Sequence, residues 1–542
     1  MSVWWRSAVF YEVYMPSFAD GNKDGIGDFQ GLTAKLDYFK ELGVNGLWLT
    51  PFYPSPKIDN GYDISDYYNI DEDYGTMDDF EHFLTQAHKR GIKVIADLVL
   101  NHTSSAHTWF QEALSSKDHT KRDWYIWKDP VNSKEPNNWE SFFGGTAWEY
   151  DQASGQYYYH AFAKEQVDLN WANREVKEAL FDVMKFWLDK GIDGFRLDVI
   201  NFLTVTNTFP DNPVNVKGEQ IHKYDKDQEG IQHTIKEISA FIHQNYRDKF
   251  LVGEVGSDDI DVLSQYGGAN KLDVVFNFNI GSIETYDVNK VFSALEKTEE
   301  VYQEEQIPTL FFGSHDMPRF ISRFGKEGEE EARAKLFATF MLTAKGIPFI
   351  YYGDEIGMRN LILDNIEKMR DVQGVTAYEL AKKEGKTSKE ALSFANEKGR
   401  DQSRSPMQWS DSPYGGFSEV QPWIEVADSA STIHVAAQLK EEQSLFQFYK
   451  KLISIRKAYD VFTFGTYEQL NIQNGVIMFI RKWNEERFCV LLNFNEEEVS
   501  FSLQNIVLHH FLLSNHPRER LDTSEITLTP YEAIIAKVKL RT

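Results

Sequence analysis

The stretch GIDGFRLDVINF, residues 191–202, places Arg196 and Asp198 two positions apart inside a run that otherwise reads as a buried strand. Side chains alternate across a strand, so Arg196 and Asp198 share one face while Phe195, Leu197 and Val199 share the other. Taking two charges out of water costs several kcal/mol each unless they are paired. A structural ion pair is one reading, a functional pair is another, and the rest of the chain decides between them.

Seven other short apolar runs share the texture of this one: AVFYEVY, GLWLT, KVIADLVL, FLVGEV, DVVFNF, TLFFGSH and IPFIYYG. Between them lie amphipathic stretches with helical spacing, such as DFEHFLTQAHKR and VKEALFDVMKFWLDK. Strands alternating with helices predict an α/β chain with a parallel sheet, and eight repeats predict a (β/α)8 TIM barrel. Residues 103–170 are too long for a plain loop and rich in Trp, Tyr, Asn and Gly, which predicts a small domain inserted after the third strand. The barrel then comprises residues 1–102 and 171–467, with a long polar insertion NEKGRDQSRSPMQWSDSPYGGF after the eighth strand and a closing helix SLFQFYKKLISIRKAY. From 468 to 542 the pattern changes to alternating strands such as GVIMFIRKW, RFCVLLNF and AIIAKVKL, as in an antiparallel β-sandwich.

Composition narrows the partners. The formal charge of −26 repels nucleic acid and anionic membranes, so neutral small molecules fit better than phosphorylated ones. The first residues, MSVWWRSAVFYEVY, lack the basic start and long apolar core of a signal peptide, and no apolar run reaches membrane-spanning length. A cytoplasmic monomer is the expectation. The single cysteine, Cys489, lies in a strand-like apolar run and reads as inert core.

In a barrel of this kind the site forms where strands run into loops. Those places carry Asp97, Asn101 and His102, then Arg196 and Asp198, then Glu254, then His315 and Asp316. A lone acid at a strand end usually caps a helix or fixes a turn. Several strands ending this way together point to chemistry on a bound molecule. Asp97 and Asn101 also have a plainer reading, as residues that fasten the barrel rim.

These segments, together with QVDLN, GLWLTPFYPSP and GIPFIYYGDEIGM, resemble the signature regions of the α-amylase superfamily, glycoside hydrolase family 13, over nearly the whole chain. The resemblance implies Asp198 as nucleophile, Glu254 as general acid/base and Asp316 as a third acid on the sugar hydroxyls, with retained configuration. Arg196 is then expected to keep Asp198 ionised, Glu254 to need a raised pKa, and His102 and His315 to donate to the bound ring.

The segments DNGYDISDY and GRDQSRSPMQW resemble those of exo-acting α-glucosidases, where an Asp and an Arg close the pocket and a Tyr stacks on the terminal glucose. That implies Asp59 with Arg400, Arg404 remaining an alternative, and Tyr62 as the stacking ring. In the similar subgroup of oligo-1,6-glucosidases and dextran glucosidases, a Val after the nucleophile accompanies α-1,6 specificity, and Val199 occupies that place. The implied activity is release of glucose from the non-reducing end of short α-1,6-linked gluco-oligosaccharides, with transglucosylation as a side reaction. Maltase-type α-1,4 cleavage and trehalose-6-phosphate hydrolysis stay open, as do sucrose isomerase and trehalose synthase chemistry. Met317 and the residues after Glu254 depart from the subgroup's pattern at places expected to touch the second sugar.

DGNKDGIGD sets Asp20, Asn22, Asp24 and Asp28 at alternating positions, with a carbonyl available at Ile26. It reads as the front of a calcium loop, though Gly31 stands where an EF-hand has its bidentate Glu. It resembles the structural calcium loop of the same subgroup, Mg²⁺ being the alternative ion; a metal-free cluster of Asx turns is the plainer reading. No organic cofactor is expected.

Overall fold

The computed structural model describes residues 3–302, 305–503, 506–516, 518 and 525–540. Its central sheet has eight parallel strands: β1 Phe10–Val13, β2 Gly46–Leu49, β3 Lys93–Val99, β4 Gly194–Asp198, β5 Phe250–Gly253, β6 Val274–Val275, β7 Thr309–Leu310 and β8 Ile347–Tyr351. Their order is β6-β5-β4-β3-β2-β1-β8-β7, each ladder parallel. The remaining seam, between β6 and β7, is closed by a side chain: the Thr309 hydroxyl donates to Val275 O (3.3 Å) and accepts from Asn277 N (2.9 Å). The eight strands read from sequence are therefore the eight staves of a (β/α)8 barrel.

The alternation in β4 takes its meaning from this closure. Phe195 and Leu197 point outward into the core shared with the helices, alongside Trp187 and Leu188 of helix Arg174–Lys190. The other face points into the barrel, which changes character along its axis. Near the start of the strands it is filled by rings, with Phe10 stacked on Phe349 (centroids 4.6 Å apart) and on Phe250 (5.1 Å). Gly46 is small for this reason, since a Cβ there would sit 2.6 Å from the Phe10 ring. One pleat further along, the inward positions become Glu12, Asp97 and Arg196, and then Asp198 and Glu254. Apolar packing supports the floor; the charges collect at the end where the loops begin.

The helices start and stop on local chemistry. Helix Met77–Lys89 opens with a reciprocal capping box between Thr76 and Asp79, and helix Arg174–Lys190 is capped by Asn173 and ends at Gly191, whose φ of 104° suits glycine. The insertion after β3 holds a three-stranded antiparallel sheet, Trp127–Lys128, Trp148–Asp151 and Gln156–Tyr159, rooted by the pair His102–Ser104 and Gln166–Asp168. It rests on the long loop after β4, an association that sequence reading did not foresee. Trp139 Nε1 donates to Pro210 O (2.8 Å) and Asn138 Nδ2 to Asn212 O (2.8 Å).

A hairpin of helices Val372–Lys383 and Ser388–Lys398 leads into the polar insertion after β8, which continues from the end of the second helix into a turn, Arg400–Ser403, whose side chains are buried together with Arg404. Its polarity serves internal hydrogen bonds, described below. Beyond it, a five-stranded antiparallel sheet of Thr466–Gln473, Val476–Trp483, Glu486–Asn493, Ile506–Ser514 and Ala533–Leu540 packs with the pair Val499–Ser502 and Glu525–Leu528. Cys489 is free and buried there, its thiol pushed up to about 12 by burial, as an inert core residue should be. Buried Arg481 fastens this sheet to the barrel by donating to Thr343 O (2.6 Å) at the C-terminus of helix Glu330–Thr343, and Arg456 of the closing helix Leu445–Ala458 donates to Leu342 O (3.0 Å) there. Among the described residues no helix is long and apolar enough to cross a membrane.

Candidate active site

Arg196 is the hub of the strand ends. Its Nη1 donates to Asp97 Oδ1 (2.8 Å) and Asp198 Oδ1 (2.5 Å), and its Nη2 to Glu254 Oε2 (2.5 Å). It thus bridges both expected catalytic carboxyls instead of serving Asp198 alone. Asp97 is fully buried and also accepts from Trp48 Nε1 (3.1 Å) and the Tyr62 hydroxyl (2.9 Å), which fits the fastening reading of that residue. Asn101 likewise donates to Asp168 Oδ1 (2.9 Å) at the root of the insertion.

Val199 departs from expectation. β4 ends at Asp198, and Val199 turns into the left-handed region (φ 35°, ψ 46°) ahead of the short turn Ile200–Phe202. It therefore does not share the outward strand face with Phe195 and Leu197. For a β-branched residue this conformation is strained, of order 1–3 kcal/mol, and it persists where surrounding contacts hold it. Here those contacts are to the neighbouring acid: Val199 N donates to Glu254 Oε2 (3.3 Å), and Ile200 N to Glu254 O (2.9 Å).

Burial pushes the Glu254 carboxyl up to about 7 against the pull of Arg196, with Asp198 and Asp316 adding to the rise. That is the direction a general acid needs. Burial also outweighs Arg196 at Asp198, which rises to about 6. The cation opposes the rise without reversing it, the direction expected of Arg196. Asp316 falls well below the usual carboxylate range, because His315, Arg400 and Arg404 overcome the burial that would raise it. His102 is pushed down to about 4 by burial. Its Nε2 lies 3.1 Å from both Tyr62 O and Gln166 Nε2, and its Nδ1 3.3 Å from Asn101 Nδ2.

Asp198, Glu254, Asp316, His102, Tyr62 and Val199 line one cavity of about 180 Å³ with Asp59, Arg400, Phe143, Phe162, Gln166 and Gln373. Arg400 Nη2 donates to Asp59 Oδ1 (2.5 Å) across its end. Arg404 is wholly buried behind the wall, donating to Asp316 Oδ1 (2.9 Å) and His315 O (2.8 Å), so the choice left open by sequence resolves to Arg400. His315 lies under the wall, its ring parallel to Tyr62 (centroids 5.3 Å apart, 5°). Met317 is half-buried and packs against the barrel's aromatic cluster, outside the lining of this cavity.

Several participants went unnoticed in the sequence. Gln166 sits in the quoted QVDLN segment, and its Nε2 donates to Asp59 Oδ2 (3.0 Å). Asp371 caps helix Val372–Lys383 and accepts from Arg400 N (2.8 Å), Nε (2.9 Å) and Nη2, holding that guanidinium from behind. Glu12 sits beneath His315.

In the loop after β1, Asp20 accepts from Lys23 N, Gly25 N and the Ser418 hydroxyl, and Asp28 from Gly21 N, Asn22 N and Gly31 N. Asn22 and Asp24 form successive Asx turns. Among the described residues, no three His, Cys, Asp or Glu side chains stand as a ready-made metal cluster.

A closed pocket whose floor carries two carboxyls at raised pKa and a third held ionised is the site of a glycoside-processing enzyme. The family model described as "Alpha amylase, catalytic domain" matches residues 12–465, and the "Alpha-amylase SusG C-terminal domain" matches residues 476–535. The chain belongs to the α-amylase family of glycoside hydrolases. It is 41% identical to an oligo-1,6-glucosidase of Parageobacillus thermoglucosidasius over 99% of both chains. It is 40% identical to a trehalose-6-phosphate hydrolase of Bacillus subtilis, covering 99% of this chain and 98% of that one. A solved trehalulose synthase from Pseudomonas mesoacidophila superimposes with a TM-score of 0.94 at 34% identity, over 99% of this chain and all of the other.

Proposed function

We propose that the protein is an exo-acting, retaining α-glucosidase that removes glucose from the non-reducing end of short α-1,6-linked gluco-oligosaccharides such as isomaltose and panose. The observation that carries this reading is the Asp59–Arg400 pair in the cavity lining, which supports a pocket closed behind a single terminal sugar. Asp198 attacks the anomeric carbon while Glu254 protonates the departing oxygen, and Glu254 then takes a proton from the water that releases glucose. Asp316 and His102 hold hydroxyls of the distorted ring, and Tyr62 offers it a flat face. A second sugar in place of that water gives transglucosylation. The curated relatives include trehalose-6-phosphate hydrolases at nearly equal identity. An unphosphorylated substrate is favoured because the cation lining the cavity, Arg400, is already matched by Asp59 and Asp371. The chain's negative charge and lone buried cysteine suit a cytoplasmic monomer.

Linkage rests on Val199. Its branched side chain has few rotamers and a backbone pinned to Glu254, so it crowds an α-1,4 leaving group more than the longer, more flexible α-1,6 link. Steric differences of this size are worth about 1–3 kcal/mol, a preference and not an exclusion. On a panel of isomaltose, maltose, sucrose and trehalose 6-phosphate, isomaltose is expected to give the highest kcat/KM, and Val199→Ala to raise activity on maltose about tenfold. A wild type that prefers maltose or trehalose 6-phosphate contradicts the assignment.

The loop after β1 is proposed to hold a structural Ca²⁺, or Mg²⁺, through Asp20, Asn22, Asp24, the Ile26 carbonyl and Asp28. Its donor set is wholly oxygen, as such ions require, and counts an amide and a carbonyl beside the carboxylates. Burial raises the Asp28 carboxyl and nearby Asp20 adds to the rise, an anionic pair that a cation would relieve. An ion bound only by the folded state stabilises it by mass action. Chelation or Asp20→Ala should lower the melting temperature by several degrees without altering which linkage is cut. Unchanged melting in excess chelator, with no metal by elemental analysis, refutes the site.

A further inference from the structure

We propose that Glu12 is a positioning residue that fixes His315 as a doubly protonated imidazolium, so that the ring presents a charged donor to Tyr62 and Asp316, which line the pocket. What the donor does for a sugar rests on the function proposed above; the charge itself rests on the hydrogen bonds.

Glu12 lies in mid-β1 facing the barrel interior, 2% exposed. Its Oε1 accepts from His315 N (3.2 Å) and stands 2.5 Å from His315 Nδ1. The other ring nitrogen, Nε2, is 2.7 Å from the Tyr62 hydroxyl and 3.1 Å from Asp316 Oδ2. The Tyr62 hydroxyl has one proton, and that proton is claimed by Asp97 Oδ2 at 2.9 Å. Asp97 is held as an acceptor by Arg196 and the Trp48 indole. With its proton committed there, the Tyr62 oxygen can only accept from Nε2. Burial raises the Glu12 carboxyl and His315 pulls it back down; with Glu12 ionised, each nitrogen of His315 faces acceptors, and a neutral ring would set one lone pair against another.

The remaining surroundings agree. His315 is nearly parallel to Tyr62 and also to Tyr14 (centroids 6.0 Å apart, 15°), and aromatic faces attract a cation. The charged groups facing the ring are Glu12 from β1 and Asp316 from its own loop, with Asp97 and Arg196 reached through Tyr62. Arg404 approaches from the turn after Arg400–Ser403, bonding the His315 carbonyl and Asp316. Burial alone would discharge the ring, yet Asp316 and Glu12 together hold its pKa up at about 9. Glu12, in turn, has His315 as the cation beside it in the barrel.

The test is a titration of the intact enzyme labelled with [13C-ε1]histidine, the His315 signal being assigned by its loss in His315→Asn. In wild type it should remain imidazolium through pH 8. In Glu12→Gln, which keeps an acceptor oxygen but removes the charge, it should titrate at least one pH unit lower, with Glu12→Asp recovering part of the shift. On an aryl α-glucoside, kcat/KM of Glu12→Gln should fall about tenfold further than wild type between pH 6 and pH 8, as the ring loses its proton. Wild-type titration near the ordinary value of about 6.5 overturns the proposal. So does a Glu12→Gln titration that does not move. Should that variant fail to fold, Glu12→Asp is titrated in its place, and a His315 signal there unmoved from wild type overturns the proposal. The titration uses no substrate, so it remains decisive if the α-glucosidase reading fails.

Discussion

Asp198→Asn and Glu254→Gln are each expected to abolish hydrolysis of an aryl α-glucoside while the chain folds normally. Asp198→Asn removes the proposed nucleophile of the first displacement, and Glu254→Gln removes the group proposed to give a proton to the leaving oxygen. Loss of a general acid alone costs about 10²–10⁴-fold, and either variant retaining more than about a hundredth of wild-type rate contradicts the roles. Folding should survive because Arg196 has three carboxyl partners, so either substitution leaves this buried cation with two. Melting temperature and circular dichroism alongside the kinetics separate lost chemistry from lost structure.

Opening the closed end of the pocket should have the next largest effect. Removing one member of a buried, hydrogen-bonded pair costs about 3–5 kcal/mol, so Arg400→Ala is expected to lower kcat/KM on isomaltose by about 10²–10³-fold. Asp59→Ala should cost less. It leaves Arg400 matched by Asp371, whereas removing Arg400 leaves Asp59, Asp371 and Asp316 without the guanidinium that joins them. Substrate affinity should suffer in both variants, with KM rising more than kcat falls. Equal activity in wild type and Arg400→Ala contradicts the exo-acting pocket.

The difference between these two residues shows what a sequence can and cannot convey. Strands β1 to β8 were legible because each is a short apolar run bounded by turn residues, and the acids at their ends marked the active face. Arg400 and Arg404 are the same residue type four positions apart, and only the turn Arg400–Ser403 decides which points into the cavity and which is buried behind it. Glu12 and Asp371 were missed because each acquires meaning from a distant partner, His315 and Arg400, with nothing local to signal it. Val199 reads as the next residue of a strand because it continues the alternation of Phe195 and Leu197 and no glycine marks a turn there. The strain of its left-handed backbone is imposed by Glu254 from the neighbouring strand end, beyond the reach of local pattern.

The central claim is that Asp198 forms a covalent glucosyl-enzyme inside a pocket that admits one terminal sugar. It is tested most directly by incubating the enzyme with 5-fluoro-α-D-glucopyranosyl fluoride, whose ring fluorine slows release of the intermediate, then digesting and mapping the label by mass spectrometry. The expected result is one fluoroglucosyl ester, on Asp198, whose formation isomaltose suppresses. Label on Asp316 or Glu254, or continued turnover with no covalent adduct, would contradict it.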